Sequence, residues 1–280
     1  MRLGAPIFHQ TGDPEKFVNA HLTKGYRAAY CPEQLTVNDT EKIRQYRESL
    51  KKNDILLAEV GAWCNPLSSD PTEAEKNFQF TVERLALAEE LQAKACVNII
   101  GTSYPNNWYG PCKANFSEDF FIYAVEVSRK IIDAVKPKHT KMTFELMPFS
   151  FLDSPKEYLR FLKALDRSEA GIHFDPINCI NSPRVLYDHV DFFQEAFRLL
   201  GEQIVSIHLK DIALNPEPFS VVLEEVPIGQ GEVDYLVLLR EIQKLSKDIP
   251  VMLEHLPDEQ TFDEATYRVR QFATQAGITL

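Results

Sequence analysis

The chain has 280 residues, 44% of them hydrophobic and 25% charged, with a formal net charge of -11. That is enough apolar material for a large core, and it argues against a mainly disordered chain. The acidic balance, without clustered Lys/Arg, argues against a broad nucleic-acid surface and against a basic membrane-binding patch.

Short runs of β-type residues alternate with longer helical stretches along the whole chain. "RLGAPIF" (2–8) reads as a strand. Asp13 then caps a helix that has Pro14 at its first position. "YRAAYC" (26–31), a mostly polar helix over 36–54 and "ILLAEVGAW" (55–63) follow. "DPTEAEKNFQFTVERLALAEELQA" reads as a helix with acids early and leucines late, leading into "KACVNIIG" (94–101). Ser117 opens the next helix with acids in its first turn, matching the helix dipole. "KMTFELMP" (141–148), a helix starting at Ser154-Pro155 and "AGIHFDP" (170–176) come next. A helix near 188–201, "QIVSIHLKD" (203–211), a helix near 233–246, "IPVMLEHL" (249–256) and a helix over 258–276 complete the order. The Pro-rich "LNPEPF" (214–219) reads as a loop, and "GQGEVDY" as a tight turn capping the helix after it.

Eight such alternations predict a (β/α)8 TIM barrel, one domain over residues 1–280. A doubly wound sheet is the competing arrangement, because alternation alone does not close a ring; strand count and length favour the barrel. The five cysteines, Cys31, Cys64, Cys96, Cys112 and Cys179, are scattered and form no C-x-x-C. They read as reduced thiols of a cytoplasmic protein. The N-terminus does not read as a signal peptide, and no apolar stretch has the length of a transmembrane helix.

In a barrel the chemistry sits where strands end. The fifth run ends with Glu145, the sixth with Asp175, the seventh with His208 and the eighth with Glu254. Taken singly, each acid reads as a helix cap or half of an ion pair, and His208 as a satisfied core histidine. Taken together, three carboxylates and one imidazole at the edge of a dry interior point to one divalent cation, because a lone carboxylate there is costly to ionise. The donor set suits Mn2+ first, with Mg2+, Co2+ or Zn2+ as alternatives.

The ordered motifs "FELMP", "HFDP-IN", "IHLKD", "VPIGQGEVDY" and "LEHL", with "GAWCNPLSSDP" ahead of them, resemble the sugar phosphate isomerase/epimerase family. These are the xylose-isomerase-like TIM barrels, a superfamily that includes endonuclease IV. The resemblance spans essentially the whole chain. It implies that Glu145, Asp175, His208 and Glu254 bind one metal, and that Glu145 and Glu254 are also the acid/base pair. It further implies a small-molecule sugar substrate, proton abstraction next to a carbonyl, an enediolate, and a homo-oligomer; no nucleic-acid or membrane partner is expected.

Substrate contacts are expected from Lys210, which shares the face of His208, from Trp63 as an apolar wall, and from Asn178. The competing reading of Lys210 is an ion pair with Asp211 or another acid. Asn178 stands three residues after Asp175, where many epimerases of the family have a substrate-binding histidine, and this departure bears on substrate orientation. His255 is expected to point away from the site by alternation, Arg184 to be a solvated loop arginine, and Asp211 to be structural. Two alternatives keep the same scaffold: a metal-dependent lyase, of the 3-dehydroshikimate-dehydration or C-glycoside-cleavage type, and a non-catalytic sugar-binding barrel. A DNA-repair endonuclease would need further ligand histidines. The run "VNIIG" and Asn178 lack them.

Overall fold

A ring of eight parallel strands organises the molecule, closed in the order β1-β10-β7-β6-β5-β4-β3-β2. The structure is a computed structural model and describes residues 1–8, 12–105, 107–246 and 248–280. The ring strands are β1 (Arg2–Gly4), β2 (Ala28–Tyr30), β3 (Leu56–Gly61), β4 (Ala95–Ile99), β5 (Lys141–Glu145), β6 (Ala170–Phe174), β7 (Ile204–Leu209) and β10 (Pro250–Leu253). Each falls within one of the eight predicted runs, and the closed ring decides for the barrel over the doubly wound sheet.

The helices begin where the caps predict. Asp13 accepts from the Glu15 and Lys16 N–H groups at the start of α1 (Pro14–Thr23). After α2 (Thr40–Lys52), Asp70 does the same for α3 (Pro71–Leu91), accepting from Thr72 and Glu73. Ser117 caps α4 (Glu118–Val135), and Ser154 caps α5 (Pro155–Leu165). Such side chains satisfy donors that a helix cannot satisfy itself. The short α6 (Pro183–Tyr187) and α7 (His189–Leu200) share the stretch before β7, and α8 (Tyr235–Gln243) and α9 (Glu259–Ala276) close the chain.

The main apolar core lies between the ring and its helices, where Phe144, Phe161, Phe174 and Phe193 are fully buried. Aromatic edges meet there, as between Phe144 and Phe161 with ring centroids 5.4 Å apart. A second, small cluster joins Ala28, Ala58 and Met252. Gly4 is required beside it: a Cβ there would stand 2.7 Å from the Met252 sulfur and 2.4 Å from the Ala28 carbonyl oxygen.

Two features depart from the sequence reading. The segment after β7 is a hairpin, with β8 (Asp211–Leu214) antiparallel to β9 (Leu223–Val226). "LNPEPF" is therefore the loop at the hairpin's tip rather than a simple connection between ring elements. Among the described residues its strands pair only with each other, and they are partly exposed, so they carry little of the apolar alternation that marks the ring. The second departure lies between β2 and β3, where the register steps from Ala29↔Leu57 to Tyr30↔Glu59, leaving Ala58 as an extra residue. A bulge of this kind re-aims the side chains that follow it.

Among the described residues, no helix is long and apolar enough to cross a membrane. All five cysteines are free thiols.

Candidate metal centre

The four strand-end residues converge. Glu145, Asp175, His208 and Glu254 each offer one ligand atom, and these atoms all lie within 4.8 Å of one another. Glu145 is the last residue of β5 and His208 the penultimate residue of β7, whereas Asp175 and Glu254 directly follow β6 and β10. Parallel pairing brings them to one end of the ring, with Met252 level with His208 and Glu145 level with His173.

The imidazole of His208 stands between two layers of carboxylate. Its Nδ1 faces Glu254 Oε1 at 3.0 Å and Glu145 Oε1 at 3.4 Å. Its Nε2 faces Glu59 Oε2 at 3.1 Å. Burial alone would drive the ring neutral, but the charges of Glu254 and Glu59 outweigh it and hold His208 well above the usual histidine range.

The two glutamates of the pair diverge in the same field. Burial and then the neighbouring charge of Glu254 push Glu145 up to about 7. Burial also acts to raise Glu254, but the positive charges of His208 and Lys210 prevail and hold it well below the carboxylate range. The two carboxyls are thus pushed apart, one up and one down.

Lys210 enters the same cluster. Its Nζ lies 2.8 Å from Glu254 Oε1, 2.9 Å from Asp175 Oδ2 and 3.9 Å from Glu145 Oε1. Its ion-pair partners are thus acids other than Asp211. The buried oxygens Asp175 Oδ2 and Glu254 Oε1 nonetheless have no directed hydrogen bond; the ammonium is near in distance but not aligned in angle. Two buried carboxylate oxygens left with unmatched lone pairs, beside an imidazole nitrogen, form a donor set that fits a divalent cation.

Asn178 is tied to both sides of this cluster. Its amide donates to Glu145 Oε1 at 3.1 Å and to the Leu146 carbonyl at 3.0 Å. Its carbonyl oxygen accepts from Lys210 Nζ at 3.1 Å. Asp175 in turn accepts from the backbone N–H groups of Ile177 and Asn178 through Oδ1, leaving Oδ2 to the cluster.

His255 overturns its expected orientation. Its backbone is left-handed, with φ +56°, a conformation uncommon for a non-glycine residue. This breaks the alternation that would have turned it outward. Its Nδ1 meets Glu225 Oε2 at 2.8 Å and lies 3.3 Å from Lys210 Nζ. Glu225 comes from β9, so the unpredicted hairpin contributes a carboxylate that reaches Lys210 at 3.3 Å.

Trp63 lies just beyond β3, 39% exposed, its indole folded back over Gly61. Among the described residues, no hydrogen bond or ion pair of the cluster involves it. Arg184 is exposed on α6. Asp211 is structural: it accepts from the N–H groups of Ile212, Gly229, Gly231 and Val233. Gly231 permits this approach, since a Cβ there would fall 2.2 Å from Asp211 Oδ1.

Glu59 was missed by the sequence reading. It is 1% exposed and sits in the middle of the otherwise apolar "ILLAEVGAW". A single carboxylate inside an apolar strand run is the signal that would have found it, because burial of an unpaired charge is costly.

A model of the family described as "Xylose isomerase-like TIM barrel" matches residues 23–271. No curated protein matches the sequence. Among solved structures, the fold is similar to D-psicose 3-epimerase from Clostridium cellulolyticum, with TM-score 0.69, 12% identity and 100% of each chain covered. It is similar to the probable 3-DHS dehydratase AsbF from Bacillus anthracis, with TM-score 0.68, 14% identity, and 97% of this chain and 98% of that one covered. A xylose isomerase-like TIM barrel protein from Mycobacterium smegmatis in complex with magnesium gives TM-score 0.65 and 15% identity, over 94% of this chain and 88% of that one. At such identities the likeness is one of fold.

Proposed function

The chain belongs to the xylose isomerase-like TIM barrel family, and on that premise we propose that it is a divalent-metal-dependent isomerase or epimerase of a sugar or sugar derivative. The observation that carries this reading is the buried convergence of Glu145, Asp175, His208 and Glu254, in which two glutamates face one imidazole nitrogen. These four residues would hold the cation, with Mn2+ the first candidate. A bound divalent cation supplies Lewis-acid stabilisation of the oxyanion that forms when a carbon next to a carbonyl loses its proton.

Glu145 and Glu254 supply the proton transfers. Burial and the neighbouring Glu254 hold Glu145 up at about 7 without a metal; a cation at this cluster would favour its ionised form, the one that can take a proton. One glutamate removes the proton and the other returns it, to the opposite face of the same carbon for epimerisation or to the neighbouring carbon for isomerisation. Asn178 orients Glu145 through its amide donor. Lys210, held by Asp175, Glu254 and Asn178, is placed to donate to a substrate oxygen. Trp63 offers an apolar wall at the barrel mouth.

A metal-dependent dehydratase is the second reading. The similarity to the probable dehydratase favours it, as does Asn178, which stands in place of a substrate histidine and is spent on Glu145 and Lys210. Both readings begin with the same proton abstraction.

Incubation with a panel of ketoses and oxidised sugars in D2O, with and without Mn2+, tests the proposal. Metal-dependent exchange of one carbon-bound hydrogen, abolished in Glu145→Gln, is expected. Product analysis then separates epimer or isomer from dehydrated product. Binding of the sugars with no exchange under any metal condition would overturn the enzymatic reading in favour of a sugar-binding barrel.

A further inference from the structure

Below the four converging residues lies a second polar layer, formed by Glu59 of β3, His173 of β6 and Ser206 of β7. All three are almost completely buried. His173 Nδ1 shares a 2.6 Å hydrogen bond with Ser206 Oγ and stands 3.5 Å from Glu59 Oε1. The His173 and His208 rings meet edge to face, with centroids 4.0 Å apart. Glu59 Oε2 closes the layer against His208 Nε2 at 3.1 Å. Among the described residues, Glu59 makes no hydrogen bond or ion pair with Glu145, Asp175 or Glu254, and its bonded contact with the upper cluster runs through His208.

We infer that Glu59 is a positioning residue for His208. A carboxylate can only accept, so the Nε2 facing it must carry a hydrogen. Nδ1, which faces the carboxylates of Glu145 and Glu254, carries one too in the metal-free ring; a cation would take the place of that hydrogen, and the Nε2–H held on Glu59 would make Nδ1 the ligand atom and fix the ring plane. An imidazole left without such an acceptor divides between two tautomers, only one of which presents Nδ1. The bulge at Ala58 builds this contact, since it is where the register between β2 and β3 steps and Glu59 comes level with Tyr30. The Tyr30 ring in turn packs edge-on to His208, 6.3 Å between centroids. Histidines that bind metals characteristically donate their second N–H to a carboxylate or carbonyl, and loss of that partner weakens metal affinity about 10- to 100-fold.

This inference rests on the metal reading of the upper cluster, and its test separates the two. Mn2+ affinity is measured by calorimetry on the full chain as wild type, Glu59→Ala and Glu59→Gln, alongside thermal unfolding of each metal-free protein. In parallel, 15N-histidine NMR reads the protonation of His208 nitrogens in the metal-free and Mg2+-loaded wild type. Glu59→Ala is expected to bind Mn2+ about 10- to 100-fold more weakly. Glu59→Gln should lose less, because the amide oxygen still accepts. The Nε2 hydrogen should be present and protected in the wild type. A Glu59→Ala protein that binds Mn2+ as tightly as the wild type overturns the inference, whatever its melting temperature. So does an Nε2 without a hydrogen, or two ions per chain with Nε2 as a ligand. If Glu59→Ala does not fold, Glu59→Gln and the NMR signal decide. A wild type that binds no metal defeats the metal reading, whereas the Nε2 hydrogen in the metal-free protein still tests the Glu59 contact.

Discussion

Each end of β5 meets a glutamate, and the two have opposite surroundings. Below the strand, Glu89 of α3 accepts from the His139 and Thr140 backbone N–H groups at 2.8 and 3.1 Å and pairs with His139 Nδ1 at 2.7 Å. Partial burial works against the ionised form there, but these donors prevail and hold Glu89 at about 2. Above the strand, Glu145 is buried beside Glu254 and rises to about 7. One carboxylate is saturated with donors and staples helix α3 to the loop that leads into β5. The other is crowded by like charge and left poised. In a barrel the lower face serves stability and the upper face serves chemistry, and under the proposed function the same residue type would fill both roles because only its surroundings differ.

Substitutions at the two ends sharpen that contrast. The largest effect is expected from Glu145→Gln, which should lower turnover by about 10²- to 10⁴-fold while the metal-free protein melts no lower than the wild type, because a like-charge contact with Glu254 is removed. Glu89→Gln should do the reverse. It should cost about 1–3 kcal/mol of unfolding free energy in a denaturant titration, with turnover and Mn2+ affinity unchanged. Acid titration gives the sign independently. The folded-state pKa of Glu89 lies below its ordinary value of 4.5, so its stabilisation is complete above that pH and is lost as pH falls toward about 2. Glu89→Gln should lack this component of the acid transition. The smallest effect is expected at the exposed Arg184 of α6: Arg184→Ala should shift stability by no more than about 0.5 kcal/mol and leave turnover unchanged. A large loss of turnover there would mean that substrate reaches beyond the barrel mouth.

Much of this was legible in the sequence because ring strands and helix caps obey local rules. Asp13, Ser117 and Ser154 announce helix starts that the structure contains, and each of the eight ring strands is a short β-type run between helical stretches. The convergence of Glu145, Asp175, His208 and Glu254 followed from their shared place at strand ends. What escaped depends on breaks in periodicity. Glu59 stands beside a bulge that alternation does not foresee. His255, with its left-handed backbone, reaches Lys210 at the rim while its side chain stays exposed. Glu225 arrives on a hairpin that stands apart from the ring, β8 pairing with β9. Each of these lies beside Lys210 or His208, where local regularity yields to the requirements of the cluster.

Titration of the wild type and of Glu254→Gln with Mn2+ by calorimetry tests the metal centre most directly. One ion per chain is expected for the wild type, with affinity at least about 100-fold weaker once Glu254 loses its charge, a cost of about 2.7 kcal/mol. No Mn2+, Mg2+, Co2+ or Zn2+ binding by the wild type, or affinity unaltered by the substitution, would contradict a cation held by Glu145, Asp175, His208 and Glu254.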